Sequence, residues 1–119
     1  MNFTDAVRSV VQDNYANFNG RARRSEYWWF VLFNILVTIV AGIIDTVLQS
    51  IIGFGFVGVI VGLGLLIPGI AVGARRLHDT DRSGWWLLIG LIPIIGVIIL
   101  IIWMATEGTK GDNRFGPMV

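Results

Sequence analysis

The sequence predicts an all-α integral membrane protein: three transmembrane helices preceded by a short amphipathic, interfacial N-terminal helix. Three observations predict it. Only 14% of the 119 residues are charged and 55% are hydrophobic, whereas a water-facing domain carries about 25% charge. The charge is also segregated: of the 48 residues between Glu26 and Arg75 only Asp45 is charged, and the 22 from Trp85 to Thr106 carry none. Finally, the apolar residues fall into three runs, each long enough to cross a hydrocarbon core of about 30 Å as a helix. These features exclude a soluble globule and a disordered tail. A net charge of +1 is too weak to steer nucleic acid, so no nucleic-acid partner is expected.

Residues 1–26 are a polar lead-in. Ala6, Val7, Val10, Val11 and Ala16 recur at spacings of three and four, which describes a short amphipathic helix on the membrane surface or a frayed one, with Thr4 as its cap. Asn19-Gly20 ends it. No apolar cleavable leader precedes the first run, which is therefore expected to act as an uncleaved anchor. Residues 27–48, 51–74 and 85–106 are the three expected spans, helical because lipid offers the backbone no hydrogen bonds. Thr46–Ser50 reads as a tight linker, 75–84 as a charged loop and 107–119 as an irregular tail. The whole chain is one membrane domain.

Basic residues orient the spans. With three crossings Arg8, Arg21, Arg23, Arg24, Arg75, Arg76 and Arg82 share the N-terminal side, and Lys110 and Arg114 lie opposite. The expectation is a cytoplasmic N-terminus and an outside C-terminus. Trp28, Trp29, Trp85 and Trp86 then mark the inner interface and Trp103 the outer one. The competing topology folds the third run at Pro93 and Gly96 into a re-entrant hairpin, which brings all nine basic residues inside. Its arms would be too short to cross.

Three constellations are candidates for function. In the second span Gly55, Gly58, Gly62, Gly69 and Gly73 share a face, a small-residue groove for a second copy in a homo-oligomer or for a helix of the same chain. In the first span Asn34, Thr38 and Asp45 share a face, either an ion path or interhelical hydrogen bonds with a hydrated Asp45. The third joins Arg21, Arg23, Arg24, Glu26 and Trp28 to Arg75, Arg76, His78, Asp79, Arg82, Trp85 and Trp86. Arginine forks onto phosphate and tryptophan sits at headgroup depth, so this face suits anionic lipid headgroups or a partner protein. The same charges could instead pair within the chain. His78-Asp79 has the form of a general base with an orienting carboxylate, but no nucleophile accompanies it.

The small counts bound the chemistry. There is no cysteine and a single histidine, so no metal site, no cofactor and no small-molecule substrate are expected.

The segments Phe18-Asn-Gly-Arg-Ala-Arg-Arg-Ser-Glu-Tyr-Trp28, Arg75-Arg-Leu-His-Asp-Thr-Asp-Arg-Ser-Gly-Trp-Trp86, Ile92-Pro-Ile-Ile-Gly96 and Gly111-Asp-Asn-Arg-Phe-Gly-Pro117, with Asp45 after the first span, resemble the bacterial family known as domain of unknown function 805. The family pattern tends to continue after Gly-Pro with Asp-Pro, where this sequence has Met118-Val119. The resemblance implies a bacterial inner-membrane protein and no catalytic residues, and its tail motif points to Asn113, Arg114 and Phe115 as more than a topological feature. The expected role is a non-enzymatic scaffold or accessory subunit. The alternatives are an oligomeric transport or channel subunit using Asn34, Thr38 and Asp45, and a lipid-modifying enzyme centred on His78 and Asp79.

Overall fold

The lead-in is folded onto the membrane helices rather than frayed. In the computed structural model, which describes residues 1–119, α1 (Phe3–Arg8) continues into a π-helical turn (Ser9–Asp13). Asn2, not Thr4, caps it, accepting from the Asp5 N–H at 2.8 Å. Val10 is fully buried with Ala22, Phe30 and Val72, and Phe3 meets the Trp29 ring edge-on. The apolar stripe therefore faces protein, not only a membrane surface.

The first long helix, α2, runs Arg24–Ile52. It passes through the expected linker Thr46–Ser50 because the hydroxyls there bond within the helix, Thr46 to the Gly42 carbonyl and Ser50 to that of Thr46. Such back-bonding satisfies a hydroxyl where no water reaches it. The helix stops at Gly53, whose φ of +88° is the left-handed cap that glycine adopts without cost. The second long helix, α3 (Val57–Asp79), starts four residues later. Both are long and apolar enough to cross a membrane.

Asp45 makes this turn. Its carboxylate accepts the N–H groups of Val57 at 2.8 Å and Gly58 at 2.9 Å, so an acid in α2 caps the N-terminus of α3. Of the two expectations for this face, the contacts are those of interhelical hydrogen bonding, with the Asp45 carboxylate engaged by protein N–H groups. Thr38 likewise donates to the Asn34 carbonyl one turn back. The glycine groove divides in the same way. A Cβ at Gly55 would lie 2.7 Å from that of Asp45, and Gly69 faces Phe30 while Gly73 faces Leu87. Of the five, only Gly62 opens onto free space.

Pro68 sits inside α3. Having no N–H, it leaves the Gly64 carbonyl four residues earlier without its helical donor. The Tyr15 hydroxyl fills that position at 2.7 Å. An orphan carbonyl costs several kcal/mol in lipid, so the lead-in closes a defect that the proline opens.

The third apolar run is not one helix, and a full third span is corrected here. Gly84–Leu91 is a 3₁₀ helix and Ile95–Ala105 is α4. Between them the chain reverses at Pro93-Ile94: the Ile95 N–H donates to the Pro93 carbonyl at 2.7 Å, with Ile94 at φ +66°. This is the γ-turn of positive φ, strained for a β-branched residue by about 1–3 kcal/mol. Eight 3₁₀ residues rise about 16 Å and eleven α residues about 16 Å, half the hydrocarbon thickness. Gly96 lets the arms meet, since a Cβ there would overlap the Ile89 carbonyl.

Gly96→Ala is therefore expected to lower the melting temperature in detergent by several degrees, as overpacking costs about 1–3 kcal/mol or more, while Gly62→Leu leaves it unchanged. Tyr15→Phe, which strands the Gly64 carbonyl, is expected to cost about 1–3 kcal/mol in the same melts.

Candidate functional site

The charged residues converge where α3 ends. Its apolar run stops at Ala74, and Arg75–Asp79 form a charged last turn beyond it. At the centre lies Asp79, 5% exposed. One carboxylate oxygen takes the Arg21 Nε at 2.9 Å and the other takes Arg76 Nη1. Glu26 pairs with Arg75 at 2.7 Å and also accepts the Ser9 hydroxyl at 2.8 Å. The Ala22 N–H donates to the Arg75 carbonyl at 3.0 Å. The lead-in, the start of α2 and the end of α3 are thus one ionic unit.

The rest of this unit holds the C-terminal segment. Helix α4 ends with carbonyls that lack helical donors. Arg76 Nε takes that of Met104 at 2.9 Å, and Trp28 Nε1 takes the same oxygen at 3.2 Å. Arg76 also bonds the Thr106 carbonyl, and Arg24 reaches that of Ala105 at 3.3 Å. Cations belong at a helix C-terminus, and here the buried guanidinium of Arg76 and the exposed one of Arg24 occupy it. Arg21 holds the tail beyond, taking the Thr109 carbonyl at 2.6 Å and the Gly111 carbonyl at 2.7 Å. Thr109 returns an N–H to the Asp79 carbonyl at 2.7 Å. Gly108 lies against the Asp79 carboxylate, where a Cβ has no room.

The tail motif docks on the loop. The Asn113 side chain donates to the His78 carbonyl at 2.9 Å, Arg114 pairs with Asp81 at 3.3 Å, and Phe115 stacks on the His78 ring at 4.0 Å. The loop and the tail therefore lie at the same end. Trp103, expected at the opposite interface, sits at this end too, edge-on to Trp86 and under the Arg82 guanidinium.

Three of the six arginines offered to phosphate, Arg21, Arg75 and Arg76, are buried and spent on the chain itself. Arg75 keeps Nε and Nη2 buried without protein partners. Arg23 and Arg24 remain at the surface, with Trp29 and Trp86 exposed and Trp85 more so at 79%. The His78-Asp79 dyad does not form. Asp79 turns into the arginine clasp, and His78 Nδ1 instead meets the Gly20 carbonyl at 2.9 Å. Burial lowers the His78 pKa from its ordinary 6.5; the Gly20 bond opposes that, and Arg114 and Arg75 add to it. Sequence reasoning passed over Tyr15, Ser9 and Gly108. Pro68 four residues after Gly64 was the available signal for an external donor, and Gly108 had none.

Fold and clasp together define a small all-helical membrane protein closed on one face by its own arginines. The chain belongs to the family described as "Protein of unknown function (DUF805)", whose model matches residues 15–117. It is 51% identical over 109 residues to the inner membrane protein YhaH of Escherichia coli strain K12, covering 90% of each chain. It is 45% identical over 108 residues to the inner membrane protein YhaI of the same strain, covering 89% of this chain and 88% of that one. Its identity to the uncharacterized protein YiiR of that strain is 29% over 133 residues, covering 90% and 88%. No solved structure matches.

Asp79→Asn leaves two buried guanidinium groups short of their counter-charge and is expected to cost about 3–5 kcal/mol, read as a loss of melting temperature. The tail should come free with it. Trypsin cleavage at Lys110 and Arg114 would rise in Asp79→Asn relative to the parent protein, and unchanged protection would show that the tail is held elsewhere.

Proposed function

We propose that this protein is a non-enzymatic inner-membrane scaffold or accessory subunit that crosses twice, keeps both termini in the cytoplasm and binds anionic lipid headgroups on that face. The observation carrying this reading is the docked tail. With the C-terminus folded back on the 75–84 loop, all nine basic residues share one side, and the turn Gly53–Phe56 on the other has none. That asymmetry favours a cytoplasmic basic side more strongly than the three-span topology does. The headgroup surface is the part of the cluster that the clasp leaves exposed, the side chains of Arg23 and Arg24, together with the exposed indoles of Trp29 and Trp86. Each exposed cation near an anionic leaflet contributes about 1 kcal/mol.

The test has two arms. Reporters fused separately to the two termini should both report the cytoplasm; an exported C-terminus overturns the topology. Protein purified in detergent should be stabilised by added phosphatidylglycerol or cardiolipin but not by phosphatidylcholine. In Arg23→Gln/Arg24→Gln the affinity for the anionic lipids should fall about tenfold or more. Equal stabilisation of the double variant and the parent defeats the headgroup reading.

A further inference from the structure

One cleft lies outside the clasp and takes no part in the headgroup surface. It opens between the last turns of α3, the lead-in at Phe18 and the start of the 3₁₀ segment, with a volume of about 360 Å³. That lies within the range of about 300–1,000 Å³ typical of small-molecule sites. Phe18, Ile70, Trp85 and Leu87 give it apolar walls, and His78 and Ser83 are polar members of its lining. No Lys, Arg, Asp or Glu lines it.

The two polar groups are oriented by what they already bond. A carbonyl oxygen only accepts, so the His78 Nδ1 that meets Gly20 must carry the proton. In the neutral ring Nε2 is then a bare acceptor, and it has no partner in the chain. The ring is held in place by Phe115 stacked on its face. The Ser83 oxygen accepts the Trp85 N–H at 3.3 Å, which leaves its own O–H free to donate. Besides the Trp85 indole N–H at its rim, the cleft thus offers one oriented acceptor and one oriented donor above apolar walls, at the level where the apolar runs begin.

We infer that this cleft binds a neutral acylglycerol carrying a free hydroxyl, of the diacylglycerol class. The lipid hydroxyl donates to His78 Nε2, an ester carbonyl accepts from Ser83, and the acyl chain lies on Ile70 and Leu87. A phosphate would find no counter-charge in the lining. A plain hydrocarbon would leave both polar groups unmet, which costs about 1–3 kcal/mol each. A fatty alcohol offers Ser83 no carbonyl. The inference rests on membrane placement but not on headgroup binding by Arg23 and Arg24.

The test uses the full chain in phosphatidylcholine nanodiscs and a diacylglycerol with a photoreactive acyl chain. Labelling should saturate and map to peptides bearing Phe18, Ile70 or Leu87. Excess dioctanoylglycerol should compete, whereas its acetyl ester, with the hydroxyl capped, should compete about tenfold less well. His78→Phe keeps a ring for Phe115 but removes the acceptor and should weaken labelling about tenfold. Ile70→Trp fills the cleft from a half-exposed position, leaves His78 in place and should abolish labelling, so the outcome does not depend on the folding of the histidine variant. Unsaturable labelling, equal competition by the acetyl ester, or labelling indifferent to Ile70→Trp overturns the site. Phosphatidylglycerol competing as well as dioctanoylglycerol overturns the neutral-head assignment. Arg23→Gln/Arg24→Gln should label normally, so the loss of one reading leaves the other standing.

Discussion

The whole arrangement depends on Asp79, a buried carboxylate gripped by two buried guanidinium groups. Neither arginine is complete with that acid alone. Arg76 has further N–H groups to satisfy and spends them on the carbonyls at the end of α4 and on Ala22. Arg21 spends its own on the tail. In a low-dielectric setting an unmatched guanidinium N–H is costly, so these demands act as a constraint on topology. The C-terminal end of the third apolar run must return to the side from which the run begins. Twenty-two apolar residues laid out as one helix would carry that end across the bilayer. The run must break instead, and it breaks at Pro93-Ile94, with Gly96 making room for the closure.

The same constraint distributes the polar chemistry. At three places where the fold opens a backbone hydrogen bond, a side chain from elsewhere closes it. Asp45 serves the first N–H groups of α3, Tyr15 serves the carbonyl that Pro68 orphans, and Arg24, Arg76 and Trp28 serve the end of α4. Each donor or acceptor lies far in sequence from the group it serves. Such closures are what a short membrane chain needs, because water cannot provide them. They also consume most of the residues that look, in isolation, like the parts of an active or transporting site. Asp45 is the clearest case: an acid within an apolar run ordinarily marks a pathway, and here it is a helix cap.

The membrane class, the two long helices and the Arg-rich convergence were legible in the sequence because composition and charge spacing depend only on solvent. The break in the third run was half legible. Pro93 and Gly96 marked where it could fold, but length favoured a span, and the deciding contacts are side chains at Arg21, Arg76 and Trp28 reaching carbonyls some thirty to ninety positions away. A carbonyl has no residue identity, so the attraction of an arginine for one leaves no trace in local pattern. For the same reason the phosphate reading of the arginines was natural and incomplete. A guanidinium fork fits a phosphate and a pair of backbone oxygens equally well, and only burial distinguishes them. His78-Asp79 failed as a dyad for a geometric reason: adjacent residues on a helix diverge by about 100°, so Asp79 can enter the clasp while His78 faces away from it.

That divergence places the remaining chemistry. Once the clasp has taken Arg21, Arg75, Arg76, Glu26 and Asp79, the unengaged polar atoms near the interface separate by character. Arg23 is charged and exposed, and Arg24 is exposed as well, with one N–H on the Ala105 carbonyl and the rest of its guanidinium open. His78 Nε2 and the Ser83 hydroxyl are neutral and line an apolar cleft. A charged ligand and a neutral one would therefore meet different surfaces of the same end of the molecule. The sorting follows from the ion pairs themselves, since pairing every buried acid with an arginine leaves no charge to place in the cleft.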